Sequence, residues 1–263
     1  MGGVDSRRCL SQSTHDPFPR TLHVISVKMV TVCAVRFPQA SRLGESTGVT
    51  PDVDTPRETP RAPTAPGARP GPAEALADLL SGNRRFAAGR PHYGHHVANA
   101  AAHSGGQSPY AVVVGCIDSR VPLEAVFDQN FGSICVVRSG GHVLDRSIVG
   151  SIEFAVAQLE VSLVMVLGHE RCGAIAATVE SMRSGQAPTG SLGYLVEQIK
   201  PAVEAVGIHD PDVEHKALRQ HVARTVESLR LVNRLADADA SGQAHVVGAV
   251  YDLDTGVVKV LNP

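Results

Sequence analysis

The sequence predicts an α/β protein with a mostly parallel central sheet, about four strands plus an antiparallel edge strand, flanked by helices and preceded by an N-terminal helical arm. Three observations predict it. Short Val- and Leu-rich runs at 110–115 (YAVVVG), 133–138 (SICVVR) and 161–167 alternate with stretches of helical period. The first and third runs end in metal-binding residue types: Cys116 with Asp118 and Arg120, then His169 and Cys172. The last twenty residues hold HVVGAVYDLDTGVVKVL, two β-rich runs around Asp254-Thr255-Gly256, which signal a hairpin and hence an antiparallel edge. Continuously apolar strands belong in a parallel sheet buried on both faces, and such sheets present ligands at their carboxyl ends.

The elements follow in order. Residues 1–72 carry ten of the seventeen prolines, and TPRETPRAPTAPGARPGP has too little apolar surface to offset its ordering entropy. This segment reads as a disordered tail, leaving 73–263 as the folded domain. A helix begins at Ala73, with Leu76, Leu79, Leu80 and Phe86 on one face, and Gly89 with Pro91 stops it. His92, His95, His96 and His103 then read as loop histidines, because no Cys or carboxylate stands at ligand spacing. After the first strand, Pro122 opens a short helix. The second strand leads into the turn Ser139-Gly140-Gly141-His142, and Asp145 or Ser147 caps a helix with Ile148, Ile152, Ala155, Val156 and Leu159 inward. A helix starts at Cys172 and gives way to a loop over 181–189. The stretch 192–206 is helical with a break or kink at Pro201, and 213–235 is one longer helix.

Composition excludes several classes. An apolar fraction of 43% with 19% charged residues is that of a globular chain. No Trp and only 4% aromatics make the core aliphatic. A net charge of −2 leaves no electrostatic footprint for nucleic acid or an anionic membrane. Residues 22–35 form the best targeting candidate, too short to span a bilayer and interrupted by His23 and Lys28. Five widely spaced cysteines (Cys9, Cys33, Cys116, Cys135, Cys172) do not resemble a disulfide framework, and reduced thiolate ligands in a cytoplasmic protein fit better.

Two strands ending side by side would bring Cys116, His169 and Cys172 onto one ion, a Cys/His/Cys zinc site with one position left for water. The runs Cys116-Ile117-Asp118-Ser119-Arg120 and Gly168-His169-Glu170-Arg171-Cys172-Gly173, with Gly82-Asn83, Arg85-Phe86, Val136-Val137-Arg138 and 151–155 (SIEFA), identify the domain as similar to the β-class carbonic anhydrases over about 74–261. That resemblance implies one Zn2+ per chain, and hydration of CO2 to bicarbonate by zinc-bound hydroxide that Asp118 orients and Arg120 holds in place. It implies substrate contacts from Gln107, the Gly173 N–H, Phe154 and Cys135. It further implies a homodimer or homotetramer, each first helix lying across its neighbour and the site at the seam. Two pocket positions depart from the family: Cys135 stands where Phe is common, and Phe154 where Tyr is. Val113 replaces the Trp that accompanies an allosteric bicarbonate pocket, and no proton shuttle is assigned, since Gln158 occupies the position proposed for plant members. An open zinc site near neutral pH is therefore expected. The alternatives are a carbonyl sulfide or carbon disulfide hydrolase on the same zinc site, or a non-catalytic zinc-binding relative.

Overall fold

The computed structural model describes residues 69–261. The proline-rich segment up to residue 68, the stretch 22–35, Cys9 and Cys33 lie outside the described residues. Five strands, β1 (Ala111–Cys116), β2 (Ile134–Ser139), β3 (Leu163–His169), β4 (His245–Tyr251) and β5 (Val258–Val260), form one sheet in the order β2-β1-β3-β4-β5. All neighbours are parallel except β4 and β5, the antiparallel pair that the Asp254-Thr255-Gly256 signal predicts. Every residue of β1 and β3 is buried. Side-chain alternation splits them into two cores: Val112, Val114, Val164 and Val166 on one face, Ala111, Val113, Leu163, Met165 and Leu167 on the other.

Helices cover both faces: α1 (Pro72–Ala87), α2 (Val97–Ala102), α3 (Leu123–Val126), α4 (Arg146–Ala157), α5 (Gly173–Ser184), α6 (Ser191–Val206), α7 (Val213–Arg230) and α8 (Asn233–Ala240). Asp145 caps α4, its carboxylate accepting from the Ile148 N–H at 2.8 Å. The buried face of α1, Ala75 and Leu79, joins Val113 and Phe127 of its own chain. Asn83 fastens it there, donating to the carbonyls of Val126 and Gly256 and accepting from the Val258 N–H at 2.8 Å.

Four local readings are corrected. The loop over 181–189 begins only at Gly185, because Ser181 and Ser184 sit in the last turn of α5 and the left-handed Gly185 ends it. Pro201 does not interrupt α6, since Val196, Ile199, Ala202 and Val203 bury the helix on both sides of it. The stretch 213–235 is two helices. Leu229 and Leu235 are both buried, and six residues of continuous helix would set them about 120° apart. Breaking at Leu231–Val232 turns both inward. Among the loop histidines, 97–102 is helical; this alanine-rich turn buries nothing, so no apolar period marks it.

Two imidazoles are buried at the carboxyl end of the sheet. His142 lies in the 3-10 turn 140–142 and His221 on α7, with ring centroids 4.5 Å apart. Burial holds His142 well below the usual histidine range, and burial likewise pushes His221 down to about 4. Both rings are neutral in the fold but take up protons near pH 6.5 once unfolded. Their contribution to stability is therefore intact above that pH and is lost on acidification, that of His221 as the pH falls toward 4. His221 alone accounts for on the order of 2 kcal/mol between pH 7 and pH 5. Urea unfolding at those two pH values will show a smaller loss on acidification in His221→Gln than in the parent; equal losses would contradict the assignment.

Candidate metal centre

Parallel pairing with Gly115 opposite Leu167 makes β1 and β3 end together, so Cys116 and His169 leave the sheet side by side. Cys116 continues the Val112–Val114 row and faces the same core as Cys172, the residue that precedes the first turn of α5. The ligand atoms of Cys116, His169 and Cys172 lie within 4.8 Å of one another, all three residues buried, and the two sulfurs are 3.9 Å apart. A tetrahedral ion with Zn–S bonds of about 2.3 Å requires sulfurs about 3.8 Å apart.

The donor chemistry fits a cation. His169 Nδ1 is 2.9 Å from the Glu170 carbonyl, to which it donates as Nδ1–H, and this leaves Nε2 with its lone pair toward the sulfurs. Nε2 is buried and has no hydrogen-bond partner. The two thiols share a proton: the hydrogen bond from Cys172 holds Cys116 well below the ordinary thiol range, and the same bond together with burial pushes Cys172 up. Backbone N–H groups from Gly141 (3.3 Å) and Asp118 further lower Cys116, and those of Ala174 and Ile175 at the start of α5 partly oppose the rise at Cys172.

Beside the ligands stands an ion pair. Asp118 receives three bonds from Arg120: backbone N–H to Oδ1 (2.9 Å), Nε to Oδ1 (3.0 Å) and Nη2 to Oδ2 (2.8 Å). The Arg120 guanidinium holds the carboxyl well below the usual carboxylate range. Asp118 Oδ2 is 3.7 Å from His169 Nε2, and Arg120 Nη2 also donates to the Arg171 carbonyl at 3.2 Å. Gly173 is the first residue of α5, immediately after Cys172.

A carbonic anhydrase family profile matches residues 111–258, more than half of the chain. Carbonic anhydrase 2 of Mycobacterium tuberculosis is 41% identical over 188 residues, which cover 70% of this chain and 90% of the relative. The chain belongs to the β-class carbonic anhydrases. The carbonic anhydrase of Mycolicibacterium smegmatis is 40% identical over 194 residues, covering 72% of this chain and 93% of that one. A solved tetrameric β-carbonic anhydrase of Sordaria macrospora superposes with a TM-score of 0.57 at 25% identity, covering 72% of this chain and 97% of that one. No helix among the described residues is long and apolar enough to cross a membrane.

In this carbonic anhydrase the other expected substrate residues stand elsewhere in the subunit. Gln107 lies beside Gly132, ahead of β1 and β2, and β1 alone carries the chain about 16 Å from there to Cys116. Cys135 pairs with Val112, four residues before the ligand. Phe154, 55% exposed, sits near the end of α4; from there the Ala155 carbonyl accepts from Val161, and Ser162 bonds Tyr110 at the amino ends of the strands. Cys135 and Phe154 line one groove of about 450 Å³. The described residues thus place Cys116, His169, Cys172 and the ion pair at one end of the sheet, and Gln107, Cys135 and Phe154 toward the other.

Sequence reasoning missed two residues that shape the centre. Arg138 donates to the carbonyls of Cys116 (2.7 Å) and Asp118 (2.6 Å) and so pins the loop between ligand and carboxylate. A charged residue closing the apolar run SICVVR was the available signal. Gly141 was read only as part of a turn.

Proposed function

We propose that this chain hydrates CO2 reversibly to bicarbonate and a proton, at a zinc ion held by Cys116, His169 and Cys172. The observation that carries the proposal is the triangle of buried ligand atoms, with an unpartnered His169 Nε2 facing the Asp118–Arg120 pair. Zinc bound by three protein ligands acidifies water in its fourth position and so supplies a nucleophile near neutral pH.

The chain's own residues do the rest. Asp118, kept ionised by Arg120, accepts a hydrogen bond from the nucleophile and fixes which lone pair meets the carbon. The bonds of both its oxygens to Arg120 favour an open site, with the carboxylate directed to the guanidinium rather than to the metal. Arg138 holds the 116–118 loop, so that carboxylate and ligand keep their spacing. The Gly173 N–H, at a helix start of positive potential, meets the charge that builds on a substrate oxygen.

Gln107, Cys135 and Phe154 act, in our proposal, on the zinc of a second subunit. Their position away from their own ligands supports this, as does α2, which has no buried residue and is free to lie on a neighbour. A homodimer or a tetramer built from such pairs follows. The unbridged thiols at the centre suit a reducing cytoplasm.

Stopped-flow CO2 hydration against pH, on protein of measured metal content, tests the proposal. The expected result is about one zinc per chain and a rate far above buffer that rises with pH. Release of sulfide from carbonyl sulfide without CO2 hydration would assign the site to the alternative hydrolase. One zinc with neither activity would make it a binding protein.

A further inference from the structure

The ligand Cys116 is held from behind. Gly141 aims its N–H at the Cys116 sulfur from 3.3 Å, in the left-handed conformation (φ +60). A Cβ there would stand 3.0 Å from both Ala174 Cβ and Ile199 Cδ1, so the turn is pressed between α5 and α6 and, at this φ, favours glycine. The carbonyl of the same glycine lies 2.9 Å from Nε2 of His221. A carbonyl can only accept, so that nitrogen carries a proton, while burial keeps the ring as a whole neutral. The next residue, His142, stacks on His221 at 33° and itself takes a left-handed conformation (φ +48), which costs energy for any side chain but glycine. Both rings are buried, so neither meets substrate.

We propose that the His142–His221 pair is a positioning device for the metal: through Gly141 it fixes the N–H that bonds the Cys116 thiolate, and so sets how much electron density that ligand gives to the ion. The inference rests on Cys116 being a zinc ligand. An N–H bond to a thiolate draws density from sulfur, which offsets part of the loss of metal acidity that two thiolates impose. The buried His142 ring packs against His221, and the hydrogen bond from His221 keeps Gly141 turned toward the sulfur.

Cobalt(II) substituted for zinc gives a sulfur-to-metal charge-transfer band that reports the electron density on the ligands. In His221→Leu that band should move to lower energy, and the pH midpoint of CO2 hydration should rise by about one unit, a tenfold effect typical of outer-shell partners. His221→Gln, whose amide can donate to the same carbonyl, should return both toward the parent. His142→Asn, suited to the left-handed turn but without the stacked ring, should shift them in the same direction by less. A parent protein without the band would mean that Cys116 and Cys172 do not bind the metal, and the ligand reading itself would fall. A parental band that stays in place in His221→Leu overturns the positioning role while leaving the ligands intact. So does a shift that His221→Gln fails to reverse, which marks general loosening. Should His221→Leu not fold, His142→Asn decides alone: a moved band supports the device and an unmoved one overturns it.

Discussion

His169→Ala protein is expected to lose its zinc on dialysis against a mild chelator, and its CO2 hydration should fall more than about a hundredfold. Outer-shell changes alone cost about 10–100-fold in metal affinity or activity, and removal of one of only three protein ligands costs more. The cluster is formed where two strand ends and one helix start converge, so a bound ion would bridge segments that are far apart in the chain. Zinc removal should therefore also lower the thermal midpoint, because two buried sulfurs are left sharing a proton in place of a cation. Cys135→Ser provides the contrast. That thiol lies opposite Val112, four residues below the ligand, and the variant should keep full zinc. Asp118→Asn should keep zinc too but lose about a hundredfold in rate, because it orients the nucleophile and does not hold the metal. Metal analysis and stopped-flow rates on the three variants check this. Full zinc in His169→Ala, or zinc lost from Cys135→Ser, would show that the wrong side chains have been assigned.

The sheet was legible because its signals are local. Val112 to Val114 and Val164 to Val166 are strands buried on both faces, and no alternative element suits so short an apolar run. The cluster was legible because Cys116 and His169 close those runs and Cys172 follows three residues later, at the start of α5. Helix limits were harder wherever tertiary packing outweighed local chemistry. Pro201 sits in an unbroken α6 held by Val196 and Val203, and the break at Leu231 exists only because Leu229 and Leu235 must both reach the core. Arg138 and Gly141 were hidden for a related reason. Each acts through main-chain atoms of a distant segment, and main-chain partners leave no pattern of residue types. Gln107, Cys135 and Phe154 are visible in the sequence as positions, but their separation from the Cys/His/Cys cluster appears only in the fold.

Mixing two inactive variants should restore activity if the half-sites meet across subunits. Cys116→Ser lacks the metal but keeps Gln107, whereas Gln107→Ala keeps the metal but lacks the amide. Each is expected to be defective alone, Cys116→Ser for want of zinc and Gln107→Ala for want of a substrate contact. Co-expressed in equal amounts, half of all pairs carry one chain of each kind. In such a pair the intact zinc of one chain faces the intact Gln107 of the other, and the opposite seam carries both defects. About a quarter of the parental rate should return, given two-fold pairing and random assembly. A Gln107 acting on its own subunit's zinc predicts no recovery, since no chain in the mixture would hold both. The same strand geometry motivates the expectation: Gln107 lies ahead of Ala111, Cys116 ends the strand, and the intervening β1 is about 16 Å of extended chain that no glutamine side chain can span. Recovery in the mixture with differently tagged chains purified in tandem would place the amide at the neighbour's metal. Absence of recovery, with the mixed pair shown to form, would return Gln107 to a structural role at the amino end of the sheet.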